Sequence, residues 1–302
     1  MEEYIQKVLN LTFYPGEDIY SDGDVEEQLM ELCKKYPDSL DEVVKKNSEW
    51  AILYHLSDMR ENLLEWFDFP KSGTLLEIGS GCGALTGLFC RKLQRVVGID
   101  LSKRRSSINA LRHGKYQNLE IMVGNLEDVH LEEKFDFVTL IGVLEYAPSY
   151  MSTGEEPFLK MLDLAKSYLK PQGTLIIAIE NKFGLKYFSG AAEDHTGKFF
   201  ESIENYPTTS HVRTLSKPEI CKLLKQGGFQ KNTFYYPLPD YKLPDTVYSE
   251  QYLPQKGDIG NVSVTYDRKR YQLFNEEAVY KQLCEDGQFE YFANSFLIFS
   301  TM

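Results

Sequence analysis

Cysteine is scarce: five residues (Cys33, Cys82, Cys90, Cys221, Cys284), odd in number, widely spaced and without a CxxC pair. That pattern excludes a disulfide framework and a structural zinc site of ordinary spacing, and it fits a reduced compartment. Positive charge is also in short supply, with 33 Lys and Arg against 45 Asp and Glu and a formal net charge of −12. A polyanion is therefore a disfavoured partner, because each phosphate contact needs a local cation. Long apolar runs are missing too. Stretches such as "FDFVTLIGVL" suit a core strand and are too short to span a bilayer. The acidic start "MEEYIQKVLN" has no signal-peptide core, and no repeat or low-complexity segment occurs. These absences lead to the expectation of a soluble, cytoplasmic chain with neither membrane insertion nor a nucleic-acid partner.

What is present is ordinary globular material: 302 residues, 42% hydrophobic and 26% charged. Residues 1–70 read as a helical cap, with helices over 25–36 and 48–67. In the second, Leu56, Met59, Leu63, Trp66 and Phe67 form one stripe. From residue 74 strands alternate with helices: strands at 74–78, 95–99, 119–123, 135–141 and 174–179, helices at 85–93 and 156–169. Strands apolar on both faces, alternating with amphipathic helices, indicate a parallel sheet covered on both sides. A helix at 216–229 is opened by Ser216 with Pro218 in its first turn and stopped by Gly227 and Gly228. A strand at 231–238, a long Pro- and Tyr-rich loop at 239–270, a helix at about 275–285 and a last strand at 291–300 complete the chain.

The stretch "LLEIGSGCGALTG" (75–87) follows a strand and opens a helix, so its backbone N–H groups face the carboxyl end of the sheet, where such loops hold nucleotides. Glycine is needed there because a Cβ would obstruct a ligand. Asp100 ends the next strand, at the position that binds ribose hydroxyls in such folds. Gly79, Gly81 and Ala84 satisfy the degenerate dinucleotide pattern GxGxxA, which is a weak signal. Glu77 argues against a dinucleotide, since a carboxylate beside this turn would repel pyrophosphate and attract an ammonium or sulfonium. The glycines also continue to Gly83, and "VGNLED" (123–128) offers Asn125 as a reader of an adenine edge.

Taken together, "LEIGSGCG", "VVGIDLS", "VGNLED", "FDFVTLIGVLEY" and "LKPQGTLIIAIEN" resemble, in order and spacing, the class I S-adenosylmethionine-dependent methyltransferases over about residues 70–235. The resemblance implies an α/β, Rossmann-like, seven-stranded sheet, mostly parallel with an antiparallel last strand, over residues 71–302. Insertions at about 181–214 and 239–289 would form a substrate lid. It implies S-adenosyl-L-methionine as cofactor. Glu77, Gly79, Ser80, Gly81 and Gly83 would lie at its methionine moiety, and Asp100 at the ribose diol. Leu101 and Leu126 would sandwich the adenine, with Asn125 at its amino group. Arg60, on the helix before the first strand, would pair with the methionine carboxylate. A narrower likeness, "IENKFGLKYFSGAAEDHTGKFF…YP", is to bacterial methyltransferases associated with glycosyltransferases in surface-glycan assembly. It implies a glycan or glycoconjugate acceptor and a glycosyltransferase partner.

Transfer to an aliphatic hydroxyl requires loss of a proton, so a base or a metal is expected near the acceptor. Glu145 and Tyr146 follow the fourth strand; Glu180 and Asn181 follow the fifth. His195, with an ordinary pKa of about 6.5, suits a general base. Tyr187, Asp194, His211 and Arg213 complete the candidate substrate ligands. A metal set of Glu180, Asp194, His195 and His211 lacks close ligand spacing, so no metal is expected. Small-metabolite N-methylation, RNA methylation and non-catalytic cofactor binding remain as alternatives.

Overall fold

A computed structural model of the chain describes residues 2–18, 20, 23–47, 49–151, 156–260, 268 and 270–302. The chain divides into two compact units, residues 1–140 with 164–175, and residues 141–163 with 176–302.

The first unit opens with α1 (Glu2–Val8), β1 (Leu9–Asn10), α2 (Asp24–Lys35), α3 (Leu40–Lys46) and α4 (Trp50–Leu56). In α2, Asp24, Glu26 and Glu27 sit in the first turn and Lys34 and Lys35 in the last, matching the helix dipole. The continuous helix expected over 48–67 is broken. Ser48 lies outside the described residues, and α4 ends at Leu56. A separate 3-10 turn, Asp58–Leu63, begins where the Ser57 hydroxyl accepts the Met59 N–H at 3.2 Å. The apolar stripe spans this break, but Met59 and Trp66 are exposed while Leu56 and Leu63 are buried. Leu29, Cys33, Ile52 and Leu56 pack with Cys82 and Ile108 as one cluster, so the cap is fastened to the glycine loop and the helix beside it. Each fully buried aliphatic side chain there contributes about 1.5–3 kcal/mol.

Four parallel strands follow: β2 (Thr74–Ile78), β3 (Arg95–Asp100), β4 (Leu119–Val123) and β5 (Phe135–Ile141), with α5 (Thr86–Lys92) and α6 (Lys103–His113) between them. β2 pairs with β3 and β5, β3 with β4, and the short β1 with β4, giving the order β1-β4-β3-β2-β5. Interior strand residues such as Leu75, Leu76, Val96, Val97, Ile121, Val138 and Leu140 are buried, as the two-sided apolar pattern requires.

The second unit begins with a 3-10 turn, Leu144–Tyr146, and α7 (Ala147–Tyr150), followed by α8 (Pro157–Ser167), whose last turn belongs to the first unit. β6 (Leu169–Glu180) starts in the first unit and finishes in the second, five residues earlier than the sequence pattern shows. Then come α9 (Leu185–Phe188), α10 (Lys217–Gln226), β7 (Lys231–Leu238), β8 (Thr246–Ser249), α11 (Glu276–Glu285), α12 (Phe289–Phe292) and β9 (Ser295–Thr301). Ser216 opens α10 as the sequence indicates, and Glu219 completes a capping box with it. The order here is β6-β9-β7-β8, and β9 runs antiparallel to β7. The α/β class and the antiparallel last strand agree with the sequence reading. The count does not: nine strands occur among the described residues, because β1 and β8 are too short for periodicity to reveal. β8 falls within the stretch expected to be loop, of which residues 261–267 and 269 lie outside the described set.

Candidate active site

The glycine loop is a rigid turn. Gly79, Gly81 and Gly83 have φ of 72°, 52° and 80°, the left-handed region that disfavours a Cβ. The Gly79 and Ser80 N–H groups both bond to the Ile99 carbonyl, tying the loop to the end of β3. The reason for glycine differs from the expected one at two positions. A Cβ at Gly83 would come within 2.4 Å of Asn109 Oδ1, and one at Gly81 within 2.9 Å of the Arg105 guanidinium. Side chains of α6, not a ligand, fill that space. The His113 ring donates its Nε2–H to the Gly83 carbonyl at 2.8 Å; burial, then the charge of Arg112, pushes its pKa down to about 3, so the ring is neutral.

Glu77 is buried at the end of β2 and accepts the Thr86 hydroxyl at 2.5 Å, while Asn109 donates to that hydroxyl at 3.0 Å. Burial raises its pKa to about 8, with Asp100's charge adding to the rise and Arg60 and Arg112 opposing it. A carboxyl in this state lacks a cation. An ammonium beside it would draw off its proton, whereas a diphosphate would push its pKa higher still. Asp100 is buried and accepts the Gly81 N–H at 2.8 Å on one oxygen and the Ser102 N–H at 3.0 Å on the other. A carboxylate has about four acceptor positions, so two remain for a diol. Ser80 Oγ is buried with no hydrogen-bond partner. These groups fit S-adenosylmethionine. Arg60 is buried with its guanidinium 4.5 Å over the Tyr54 ring, and its charge acts on Glu77. Asn125 Oδ1 accepts the Glu127 N–H at 3.1 Å, so this side chain also shapes its own turn. Leu126 is buried and Leu101 half-buried. The sequence reading missed Asp18, which accepts the Lys103 and Arg104 N–H groups and the Ser102 hydroxyl, capping α6 directly after Asp100.

In the second unit, His195 is gathered with Glu145, Glu180 and Glu193. Nδ1 of His195 bonds to Glu193 Oε1 at 2.8 Å, and Nε2 stands 3.6 Å from Glu145 Oε1 and 4.0 Å from Glu180 Oε2. The ring of Tyr146 meets that of His195 edge-on at 5.2 Å. Burial alone would lower the imidazole pKa, but Glu180, Glu145 and Glu193 together raise it well above its ordinary value. Such a ring is a poorer proton acceptor near neutral pH than the ordinary histidine value implies. Burial raises Glu145, with Glu180's charge adding to it. Glu193 is held below its ordinary range despite burial, by the His195 hydrogen bond and charge and by the Thr196 N–H.

Several candidate substrate ligands are occupied by the protein itself. Asp194 accepts Lys186 and Lys242 at 2.8 and 2.7 Å and the Tyr187 hydroxyl, which engages Tyr187 as well. Asn181 donates to the Tyr291 and Ala293 carbonyls at 2.8 Å each and accepts the Phe183 N–H. Arg213 pairs with Glu219 at 2.7 Å, and its backbone N–H bonds to the Glu145 carbonyl; His211 is exposed. These four side chains (Asp194, Tyr187, Asn181 and Arg213) build the scaffold. No sequence pattern singles out Lys242, which pairs with Glu180 Oε1 at 2.6 Å from a distant loop. Its one trace was the charge-dense phrase "AEDHTGK", which needs cations from elsewhere.

A family model described as "Methyltransferase domain" matches residues 51–233. The chain is 28% identical over 187 residues to the ubiquinone biosynthesis O-methyltransferase of Pelagibacter ubique, covering 58% of this chain and 74% of that one. It is 24% identical to the 2-phytyl-1,4-naphtoquinone methyltransferase of Thermosynechococcus vestitus, over 62% and 84%. A solved S-adenosylmethionine-dependent methyltransferase from Archaeoglobus fulgidus is similar at a TM-score of 0.48 and 14% identity, covering 82% of this chain and 96% of that one. Among the described residues no helix is long and apolar enough to cross a membrane. With the family model spanning more than half of its length, this chain belongs to the class I S-adenosylmethionine-dependent methyltransferases.

Proposed function

We propose that the chain O-methylates a hydroxyl of a small molecule, with a sugar or glycoconjugate hydroxyl as the acceptor. The observation that carries this reading is the buried group of Glu145, Glu180 and His195, in which both Glu145 oxygens and Glu180 Oε2 have no hydrogen-bond partner. Such oxygens suit an acceptor O–H that must be oriented and lose its proton. An N-methyltransferase acting on a neutral amine has less need of them.

The cofactor supplies an electrophilic methyl group when bound. Everything else falls to the chain's own residues. Glu77, Ser80, Gly81, Asp100 and Arg60 bind and orient its amino acid and ribose. Leu101, Leu126 and Asn125 receive the adenine. Glu145 and Glu180 hold the acceptor oxygen, with Tyr146 beside it, and the described residues of the segments at about 181–214 and 239–289 cover the acceptor and exclude water. A sugar hydroxyl is far less acidic than a phenol, so it makes the stronger demand for carboxylate oxygens left without a hydrogen bond. The phrase at 180–200 supports it too, and it implies a glycosyltransferase partner. The named relatives favour a phenolic ring hydroxyl as the second reading.

Incubation with methyl-labelled cofactor and three acceptor classes tests the proposal: hydroxylated glycan precursors, dihydroxyphenyl quinol analogues, and total RNA. Label in an alkali-stable methyl ether of the glycan is expected. Label confined to RNA or to amines overturns it.

A further inference from the structure

The three groups at this site stand in an unusual relation. His195 Nε2 is too far from Glu145 Oε1 (3.6 Å) and from Glu180 Oε2 (4.0 Å) to hydrogen-bond either. One donor atom from each residue nevertheless lies within 4.8 Å of the other two. Atoms bound to a common ion at about 2.1–2.2 Å lie about 3–4 Å from one another, and the two His195–carboxylate separations of 3.6 and 4.0 Å fall in that range. The ring's close carboxylate contact is on the other nitrogen, where Glu193 meets Nδ1 at 2.8 Å; on the Nε2 side neither Glu145 nor Glu180 has closed to hydrogen-bond distance.

The surroundings point the same way. Glu145 is 1% exposed and Glu180 fully buried, yet both Glu145 oxygens and Glu180 Oε2 have no hydrogen-bond partner. Glu180's other oxygen is fixed by Lys242 at 2.6 Å and by the Tyr241 hydroxyl at 3.3 Å, which leaves Oε2 facing the histidine. Behind the ring, Glu193 takes the Nδ1–H, so that loss of the Nε2 proton to an incoming ion would leave the Nε2 lone pair facing the carboxylates. A carboxylate backing a ligating imidazole in this way is the usual outer support of a metal-bound histidine.

We propose that Glu145, Glu180 and His195 bind one divalent metal ion. Two carboxylate oxygens and one imidazole nitrogen, with no thiolate, select an oxygen-preferring ion of the manganese or magnesium type. Three protein ligands leave coordination positions open for acceptor oxygens, and an ion there would acidify a bound hydroxyl. The inference goes beyond the O-methylation reading and does not require it.

The test is a titration of the full chain with Mn²⁺ followed by the electron paramagnetic resonance of the free ion. One saturable Mn²⁺ per chain is expected, displaced by excess Mg²⁺. Glu145→Gln and Glu180→Gln should each weaken binding at least tenfold, and Glu193→Gln about tenfold. Bound Mn²⁺ should also broaden the ring resonances of His195 in the wild-type chain while sparing those of exposed His211, a readout that needs no variant. Absence of saturable binding overturns the proposal, as does binding unchanged in Glu145→Gln or uniform broadening of the histidines. Hydroxyl methylation without Mn²⁺ binding would sink the metal and leave the O-methylation reading intact; Mn²⁺ binding without hydroxyl methylation would do the reverse.

Discussion

Glu193 grips His195 at two points: one carboxylate oxygen takes the ring Nδ1–H at 2.8 Å and the other takes the backbone N–H at 2.9 Å. The same side chain also accepts the Thr196 N–H at 2.6 Å and the Tyr206 hydroxyl at 3.1 Å. Replacing it with alanine removes the acceptor from these four donors, three of them part-buried and the Tyr206 hydroxyl left with Thr214, at a cost of about 3 kcal/mol. A melting temperature lowered by several degrees is expected, together with changed ¹⁵N ring resonances for His195. Glu193→Gln should recover part of the stability. Native ¹⁵N ring resonances in the alanine variant would remove Glu193 as the positioning residue.

Glu77 predicts a proton linkage. Its folded pKa of about 8 lies above its ordinary value of 4.5, so the folded chain binds more protons between those two values. Its contribution to stability is therefore fully present below pH 4.5 and is lost as pH rises towards 8, by at most about 1.4 kcal/mol per unit. An ammonium placed beside Glu77 displaces the proton. Cofactor binding at pH 7 should release close to one proton, and affinity should rise with pH up to about 8. Calorimetry in buffers of different ionisation heat measures this, and Glu77→Gln should abolish the release. Equal proton release in the glutamine variant would refute the assignment.

Asp100 serves the loop and, by our reading, the ribose. Asp100→Ala removes two charge-assisted contacts to a diol, each worth about 1.5–3 kcal/mol, so cofactor affinity should fall at least a hundredfold. Unchanged calorimetric affinity would rule out the ribose role.

Gly83→Ala places a methyl group 2.4 Å from Asn109 Oδ1 on a backbone with φ of 80°. The strain should cost about 1–3 kcal/mol and loosen the loop, lowering both melting temperature and cofactor affinity. A variant as stable as the wild type would show that α6 yields easily.

His195→Ala should depress turnover about a hundredfold or more while leaving cofactor affinity intact, because the groups assigned to the cofactor do not include it. Paired kinetic and binding measurements check this; a matching loss of affinity would contradict the division of labour.

Much of this was legible in the sequence, for identifiable reasons. The strands β2 to β5 are apolar on both faces, and the glycines at 79, 81 and 83 recur at a spacing that few other structures require. Asp100, Glu145 and Glu180 were found because they sit at strand ends, where side chains of this architecture do chemistry. The break at Ser57 was hidden because an apolar stripe continues smoothly from an α-helix into a 3-10 turn. The environment of His195 was hidden for another reason. Glu193 is a local neighbour, but the pKa shift also depends on Glu145 and Glu180 arriving from two distant segments, and no local pattern records that meeting. For the same reason Asn181 looked available until the carbonyls of Tyr291 and Ala293 were seen to hold it.

That last contact changes how the carboxyl end of the chain should be regarded. The Asn181 amide clasps the carbonyls of Tyr291 and Ala293, and its N–H bonds to the Asn294 carbonyl, immediately after Glu180. Residues 291–294 thus act as a clamp on the root of the acidic group, although they lie more than a hundred positions downstream. Proteolytic trimming or a bulky fusion that peeled β9 away would disarm the site without touching any residue that performs chemistry.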